Sequence, residues 1–282
     1  MKLASKVVVI TGGGRGIGKA IAMGCAREGA SVVMAARSAA EVETAAEEVH
    51  RETGAKTMGV ACDVSVAADV KKLMARAREM GPIFGLIAAA GIYGPIGPFE
   101  ESSMDEWIEA VEVNLFGAVR CVHAVVGEMK KRGEGRVVLF SGGGQGALPN
   151  FTSYVTSKGA ILRFTETLGA ELAPMGVFVN AISPGAVNTK FLEDLLAAGP
   201  SKVGPVFYEK AMKQREQGGV PPEKAADLAV YLLSPESHGL WGKNLSAVWD
   251  KYREIADPTG ASSTDLYTMR RVVDERGGTR GV

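Results

Sequence analysis

The sequence of residues 7–18 is VVVITGGGRGIG, an apolar run that leads into a glycine-rich turn. Apolar, β-branched runs of this length form buried strands, and residues 19–28 have the composition of a helix. Glycines let the chain turn tightly after the strand and let its backbone approach a pyrophosphate at the positive end of a helix. Glycine clusters also occur in ordinary turns, but the position between a first strand and a helix predicts a dinucleotide site.

Similar apolar runs recur along the chain, at residues 32–35, 57–61, 85–89, 136–140 and 177–182. Unbroken runs are typical of strands buried on both faces, and the intervening segments have helical spacing. This alternation predicts one α/β domain with three α/β/α layers, a doubly wound parallel sheet of the Rossmann type. We expect a late helix over residues 221–233 and a last strand over 243–248.

The length and charge of the chain limit its organisation and partners. Its 282 residues fit one domain over 1–250 and a C-terminal extension over 251–282. Lys+Arg and Asp+Glu both total 32, so no basic field favours nucleic acid. No signal peptide and no apolar run of membrane-spanning length is evident, so we expect no membrane partner.

The cysteines and histidines give no sign of a metal site. Cys25, Cys62 and Cys121 are an odd, widely spaced set, which disfavours a disulfide framework and a zinc site. The three histidines are scattered without metal-ligand spacing. We therefore expect no metal and a reducing, cytoplasmic location.

The residues after the second strand, AARS at 35–38, indicate which dinucleotide is bound. An acid there would accept hydrogen bonds from the ribose 2′-hydroxyl of NAD, whereas a basic residue favours the 2′-phosphate of NADP. No acid occurs before Glu41, while Arg37 can form a fork with a phosphate and Ser38 can add a hydroxyl. Arg15 in the glycine turn is a second cation. Solvated arginines are the alternative, and we predict NADP, with NAD as the second candidate.

A tyrosine and a lysine lie four residues apart in YVTSK, residues 154–158. Residues at this spacing share a helix face, so Tyr154 and Lys158 should project into one volume. A free phenol titrates near about 10, and a neighbouring ammonium lowers its pKa by roughly one to three units. We therefore predict that Tyr154 exchanges a proton near neutral pH. Thr156 and Ser157 are expected to be surface or capping residues.

Three segments together resemble the short-chain dehydrogenase/reductase family, in its 3-oxoacyl-reductase-like branch. They are T-G-x-x-x-G-x-G at residues 11–18, the tyrosine–lysine segment at 154–158, and P-G-x-x-x-T at 184–189. The resemblance covers about residues 5–250. It implies an enzyme that moves a hydride between nicotinamide and a carbonyl or secondary alcohol carbon, a small-molecule substrate, and a homo-oligomer, tetramer or dimer.

The resemblance also implies four catalytic positions. Tyr154 is the proton donor and acceptor, and Lys158 additionally holds the nicotinamide ribose. Ser141, thirteen positions before Tyr154, orients the substrate oxygen. Asn114 holds a water that links the lysine to solvent, although a buried structural asparagine is the alternative.

The cofactor contacts that we expect come partly from the glycine-rich motif and partly from the family resemblance. Asp63 is placed against the adenine, unless it only caps the helix near residue 66, and Thr189 is placed at the carboxamide. The full set is Thr11, Gly12, Gly14, Arg15, Gly16, Ile17, Gly18, Arg37, Ser38, Asp63, Val64, Ala90, Gly91, Tyr154, Lys158, Pro184, Gly185, Val187 and Thr189. One departure is AAAG at residues 88–91, where most members have N-N-A-G, so weaker or repositioned contacts are expected there.

Residues 188–217 mix apolar and charged side chains and predict a partly helical lid over the substrate pocket, to which Gln145 and Asn150 could add polar contacts. The apolar residues beyond Asp250 predict that the extension docks on the domain, at its lid, or on a neighbouring subunit, whereas the end at residues 277–282 is expected to be frayed.

Three classes of function stay open. A carbonyl reductase or alcohol dehydrogenase is favoured, with an NAD-dependent polyol or sugar dehydrogenase as its variant. A sugar-nucleotide epimerase or dehydratase usually has a longer chain with a second domain and G-x-x-G-x-x-G spacing. A nucleotide-sensing protein without turnover would not need the four catalytic positions.

Overall fold

The computed structural model describes residues 1–270, and in this part of the chain the apolar runs form one seven-stranded parallel sheet. The strands are β1 (Val7–Thr11), β2 (Ser31–Ala36), β3 (Thr57–Ala61), β4 (Ile83–Ala88), β5 (Gly135–Phe140), β6 (Val177–Ser183) and β7 (Asn244–Ser246). Their order is β3-β2-β1-β4-β5-β6-β7. The direction of winding therefore reverses between β1 and β4, which opens a crevice at the carboxyl ends of these strands.

Helices cover both faces of the sheet. They are α1 (Gly16–Arg27), α2 (Ala39–Thr53), α3 (Ala67–Arg78), α4 (Met104–Val111), α5 (Ala118–Arg132), α6 (Thr152–Leu172), α7 (Lys190–Ala198), α8 (Pro200–Val203), α9 (Pro205–Gln217), α10 (Pro222–Leu233) and α11 (Pro258–Ser262). Apolar residues of α1, α2 and α10 pack on one face, and those of α3, α5 and α6 pack on the other. The predicted three-layer, single-domain Rossmann fold is confirmed.

Local sequence explains where these elements begin and end. Every residue of β1, β4 and β5 is buried, as unbroken apolar runs predict. The Ser38 hydroxyl accepts a hydrogen bond from the Glu41 amide and so caps α2. Gly54 ends α2 with φ 71°, a left-handed conformation that glycine adopts without a steric penalty.

The last strand is shorter than predicted, because only Asn244–Ser246 pairs with β6. Lys243 precedes it as an almost fully buried residue. Its ammonium donates a hydrogen bond of 2.6 Å to the carbonyl of Thr264 in the extension. The pairing of β7 with β6 is short, and the contact with the extension helps to hold this segment in place.

The extension, as far as residue 270, packs on the body of the domain and not on the lid. Asn244 donates its amide hydrogen to the carbonyl of Tyr267, at 2.9 Å, and the Ser262 hydroxyl donates to the carbonyl of Gly239, at 3.0 Å. Arg270 forms ion pairs with Glu166 and Asp265. The expectation of docking on the lid is therefore wrong for this part; residues 271–282, including the predicted frayed end at 277–282, lie outside the described residues.

One helical stretch, Met104–Arg132, is long and apolar enough to cross a membrane by length and composition alone. This differs from our expectation that no run reaches such a length. Cys121, Val122 and Val125 of this stretch are buried against the sheet and its helices. The stretch therefore has the packing of a core helix.

Candidate active site

In the glycine turn after β1, the backbone of Gly18 lies close to that of Gly12, and Gly12 lies close to the backbone just after β4. A Cβ at Gly18 would lie 2.1 Å from the carbonyl oxygen of Gly12, and one at Gly12 would lie 2.9 Å from the backbone of Ala89. Gly12 and Gly16 also have φ of 69° and 53°. Side chains at these positions cannot be accommodated, so the turn is a bare backbone cradle at the start of α1, the form that a pyrophosphate requires.

A cavity of about 620 Å³ lies over this turn at the reversal between β1 and β4. The predicted cofactor residues that line it are Gly12, Gly14, Arg15, Gly16, Ile17, Gly18, Arg37, Ser38, Asp63, Val64, Ala90, Gly91 and Thr189. We call it the dinucleotide crevice. Thr11 does not line it; its buried hydroxyl accepts a hydrogen bond of 3.4 Å from the Ala90 amide, which links β1 to the AAAG segment.

Charged groups surround the part of the crevice near the end of β2. Arg37 is exposed, and Arg15 lies 3.3 Å from the carboxylate of Glu41. That carboxylate also covers the turn, because a Cβ at Gly14 would be 2.5 Å from it. Sequence reasoning noted Glu41 only as a distant acid; its position in the first turn of α2 brings it back over the glycine turn.

Asp63 does not cap the following helix, because Val66 is the N-cap of α3 and no side-chain hydrogen bond caps that helix. Its Oδ1 accepts hydrogen bonds from the amide and the hydroxyl of Ser65, so it orders the turn before α3. It also lines the dinucleotide crevice. Burial by itself would raise the pKa of Asp63, but the hydrogen bonds from Ser65 and the charge of Arg37 lower it overall.

A second cavity, of about 750 Å³, adjoins the crevice, and we call it the substrate cavity. Tyr154 and Lys158 line it, as do the predicted cofactor residues Pro184, Gly185 and Val187. Gly91, Thr189 and Phe191 line both cavities. The tyrosine–lysine pair therefore lies where the two cavities meet.

Tyr154 is in the first turn of α6, and its ring is held by two aromatic neighbours. The ring centroid of Tyr93 is 4.9 Å away and that of Phe191 is 5.9 Å away. The Lys158 ammonium is 5.8 Å from the centre of the Tyr154 ring. Helix spacing did place the two side chains in one volume.

The pKa of Tyr154 is raised, not lowered as predicted, because burial of the phenol disfavours its charged form. Burial likewise lowers the pKa of Lys158 to about 8. In the free protein, therefore, the tyrosine is a neutral donor at neutral pH, and the lysine loses its charge only slightly above it. The error arose because burial of both groups cannot be deduced from their spacing.

Asn114 lies in a π-helical segment, Glu112–Gly117, between α4 and α5. Its side chain accepts a hydrogen bond from the Ile92 amide and donates to the Ile92 carbonyl, both at 2.8 Å. It also donates to the hydroxyl of Ser157, at 3.1 Å. Ser157 is thus fully buried and is not the surface or capping residue predicted. A π-turn of this kind is common at functional sites.

Gly91 lets the strand end come close to these polar groups. A Cβ at Gly91 would lie 3.0 Å from Asn114 Oδ1 and 3.6 Å from the Lys158 ammonium. The asparagine oxygen and the lysine therefore border the same small space.

Ser141 is not brought to the substrate cavity. It is fully buried, and its Oγ donates to Asn244 Oδ1 at 2.6 Å and lies 3.0 Å from Ser183 Oγ. Within residues 1–270 its hydroxyl forms no hydrogen bond with Tyr154. The prediction that Ser141 faces the substrate oxygen is therefore not supported by its position.

The region predicted to be a lid, residues 188–217, contains helices α7 to α9, and α7 and α9 contribute apolar side chains to the wall of the substrate cavity. Lid and domain residues that line it include Tyr93, Leu148, Phe191, Leu192, Leu195, Phe207 and Trp249. Sequence reasoning missed Tyr93 and Trp249; the position of Tyr93 two residues after Gly91 could have indicated it. Gln145 lines this cavity, whereas Asn150 does not.

A bare backbone cradle beside a partly buried tyrosine and a buried lysine defines an oxidoreductase of the dinucleotide-binding α/β class. The family model described as short chain dehydrogenase matches residues 6–198. The chain belongs to this family, whose members are oxidoreductases that act on alcohol and carbonyl groups with a nicotinamide cofactor.

Similar proteins and solved structures cover most of the length of the chain. The short-chain reductase protein NovJ of Streptomyces niveus is 36% identical over 240 residues, which are 85% of this chain and 91% of that protein. A solved NAD+-bound xylitol dehydrogenase has a TM-score of 0.80 at 28% identity, covering 87% of this chain and 98% of that one. An actinorhodin polyketide ketoreductase variant with NADPH has a TM-score of 0.77 at 30% identity, covering 86% and 95%.

We expect carbonyl reduction to slow as the pH rises through about 8, the pKa of Lys158. The ammonium is present below this pKa and is lost above it, so any stabilisation that it would give to a phenolate at Tyr154 is lost in the same direction. Arginine keeps its charge to a pH above about 12. Lys158→Arg should therefore move the alkaline limb of kcat/KM to higher pH, even if its rate is lower. If kcat/KM of this variant falls at the same alkaline pH as that of the wild type, the fall is caused by the titration of another group.

Proposed function

We propose that the protein is an NADPH-dependent ketone reductase that acts on a bulky, largely apolar substrate, with Tyr154 as the proton donor to the carbonyl oxygen. The same groups serve the reverse oxidation. One observation supports this best: the substrate cavity is aromatic, and it meets the dinucleotide crevice at the tyrosine–lysine pair. A nicotinamide cofactor bound in the crevice would supply or accept the hydride.

The chain's own residues have separate tasks in this proposal. The glycine turn binds the pyrophosphate by backbone groups at the start of α1. Lys158 contributes positive charge beside Tyr154 and a donor for the nicotinamide ribose. Tyr154 gives its proton to the oxygen as negative charge develops there, and its raised pKa keeps that proton in place at neutral pH. Asn114 holds the backbone of Ile92 and fixes the wall next to Lys158.

The preference for NADPH rests on the charges near the end of β2. Arg37 and Ser38 line the crevice there, Ala36 contributes no carboxylate, and Arg15 lies across the turn. A phosphate that enters this region would compete with Glu41 for Arg15, since the two side chains form an ion pair of 3.3 Å. The likeness to a ketoreductase with NADPH supports the same choice.

A bulky apolar substrate follows from the lining of the cavity. Its volume of about 750 Å³ lies within the usual range for small-molecule sites, and aromatic and leucine side chains make up much of its wall. Polar side chains also line the wall, but apolar surface predominates; besides Tyr154 and Lys158 the polar residues are Tyr93, Gln145, Ser183, Thr189, Lys210, Gln214 and Ser246. Each polyol hydroxyl that faces the apolar part of this wall would lack a hydrogen-bond partner, at a cost for each one.

An NAD-dependent polyol or sugar dehydrogenase is the second candidate, favoured by the likeness to the NAD+-bound xylitol dehydrogenase. The two candidates differ in cofactor and in substrate polarity. The purified protein can be incubated with NADPH or NADH and a panel of ketones, and with NADP+ or NAD+ and a panel of polyols, while nicotinamide absorbance is followed. Turnover of polyols with NAD+ at a higher kcat/KM than any ketone with NADPH would reject the first candidate.

We also propose that the protein is a homo-oligomer, a tetramer or a dimer, that associates through the helices around Asn114. Large apolar side chains are exposed there, with relative exposures of 52% for Ile108 and 45% for Phe116. Covering them in an interface removes apolar surface from water. Light scattering should give a multiple of the 29.5 kDa chain mass, and Ile108→Glu with Phe116→Glu should reduce it. A monomeric wild-type protein at micromolar concentration would contradict this.

A further inference from the structure

A tryptophan just after β7, Trp249, combines high exposure with a place in the wall of the substrate cavity. It is 84% exposed, and its side chain is among the largest apolar groups that a protein can offer to a ligand. Of the large apolar side chains that are exposed in residues 1–270, it alone lines this cavity. The indole is therefore an apolar surface that a molecule in the cavity can cover.

A tight turn holds the backbone of Trp249 in place. Ser246 Oγ accepts hydrogen bonds from the amides of Val248 and Trp249, at 3.2 and 3.1 Å. The Ser246 amide donates to Asp250 Oδ2 at 2.7 Å. Val248 packs closely on Gly185, since a Cβ at Gly185 would be 2.6 Å from Val248 Cγ2. The indole thus stands on a fixed backbone, so little conformational entropy is lost when a ligand orders it.

The position of Trp249 is at the mouth of the substrate cavity. Leu192 and Leu195 of α7 line the same cavity and are buried, so they belong to its inner wall. Tyr154 lies where the cavity meets the dinucleotide crevice. Trp249 lines the cavity with most of its surface in water, so a ligand that extends from Tyr154 to the solvent reaches the indole at its far end.

We propose that Trp249 is a specificity-determining residue that stacks on the far end of the substrate. The substrate class is a ketone, or the corresponding secondary alcohol, that carries a planar aromatic ring system away from its reacting carbon. Indole packs on flat π systems in offset-stacked or edge-to-face arrangements, and both partners lose apolar surface to water when they meet. This inference rests on the proposed function, because it assumes that the reacting carbonyl lies at Tyr154.

The kinetic test compares three methyl ketones. Methyl naphthyl ketone has planar rings, methyl decalinyl ketone has the same carbon skeleton with saturated rings, and butanone is too short to reach the indole. Trp249→Ala should lower kcat/KM for the naphthyl ketone by about tenfold, since an aromatic stacking partner is lost. The loss should be smaller for the decalinyl ketone, and butanone should be unaffected.

Two further variants control this comparison. Trp249→Phe keeps an aromatic face and should keep most of the wild-type kcat/KM for the naphthyl ketone. Trp241→Phe changes a tryptophan that lines neither cavity, and it should behave as the wild type with all three ketones. Equal losses for the three ketones in Trp249→Ala, or no loss for the naphthyl ketone, would overturn the proposal.

A binding measurement gives a readout that does not depend on turnover. Calorimetric titration of the naphthyl ketone into Tyr154→Phe protein that is saturated with NADP+ should show binding. Adding Trp249→Ala to this variant should raise the Kd by about tenfold. An unchanged Kd, or no binding of the ketone to Tyr154→Phe, would overturn the proposal.

A second copy of the chain is the other group that could cover the indole. The interface proposed around Ile108 and Phe116 includes no residue of the substrate cavity, so Trp249→Ala should leave the mass from light scattering unchanged. A lower mass in this variant, with an unchanged Kd for the naphthyl ketone, would assign Trp249 to an interface and overturn the proposal.

The two levels of the inference fail separately. If no ketone is turned over but the naphthyl ketone binds in a way that depends on Trp249, the proposed function fails and the binding role of Trp249 stands. If ketones are turned over while Trp249→Ala changes neither kcat/KM nor Kd for the naphthyl ketone, the proposed function stands and the role of Trp249 fails.

Discussion

Tyr154→Phe is expected to lower kcat for ketone reduction by about 10²–10⁴, the usual contribution of a positioned general acid. The variant loses only the hydroxyl of Tyr154 and keeps the ring, which packs against Tyr93 at a centroid distance of 4.9 Å. The glycine turn lies on another element and is untouched. NADPH affinity, measured by the fluorescence of the bound nicotinamide, should therefore stay close to that of the wild type.

Tyr252→Phe is the matched control for this variant. It removes the same group from Tyr252 of the extension, whose ring packs on Tyr231 of α10 with centroids 5.1 Å apart. Tyr252 lines neither cavity. It should turn over at the wild-type rate. Near wild-type turnover of Tyr154→Phe on a verified substrate would show that another group donates the proton. By contrast, Lys158→Ala should impair both turnover and cofactor binding.

Arg37→Ala is expected to raise the KM for NADPH by about ten- to a hundredfold and to change that for NADH far less. A hydrogen bond to a charged group contributes about 1.5–3 kcal/mol, and each 1.4 kcal/mol is a factor of about ten. Only NADPH has the 2′-phosphate that the guanidinium would bind. Arg51→Ala, on helix α2, which begins just after Arg37, lies outside the crevice; it is the control and should leave both constants unchanged.

Glu41→Gln extends the same test in the opposite direction. The carboxylate of Glu41 occupies Arg15 in the free protein, so its loss should lower the KM for NADPH. Equal effects of Arg37→Ala on the two cofactors, or a wild-type preference for NADH, would contradict the assignment of NADPH.

The fold could be predicted because its determinants are local. Unbroken apolar runs such as β1 and β4 leave both faces of a strand to be buried, and helices between them force a parallel sheet. Strand ends were correct to within one or two residues. The last strand was overestimated, since the segment from Lys243 is fixed by the side-chain contact with Thr264 as well as by pairing.

Only part of the site could be predicted from the sequence. The glycine turn and the tyrosine–lysine pair are short motifs whose spacing determines their geometry, and their residues do line the two cavities. Counting thirteen residues back from Tyr154 could not show which side of a strand end Ser141 faces, and a shift of one residue reverses that direction. The return of Glu41 over the glycine turn and the burial that raises the pKa of Tyr154 depend on tertiary packing.

The central claim is that the chain itself transfers a hydride from NADPH to a ketone carbon, with Tyr154 as acid. The direct measurement is a reaction with NADPH deuterated at the transferable position of its nicotinamide and a bulky ketone, followed by mass spectrometry of the alcohol. We predict one deuterium at the former carbonyl carbon in the wild-type reaction and, in the same time, at least about a hundredfold less labelled alcohol with Tyr154→Phe. Alcohol that forms without deuterium, or labelled alcohol at the same rate in both proteins, would contradict the account.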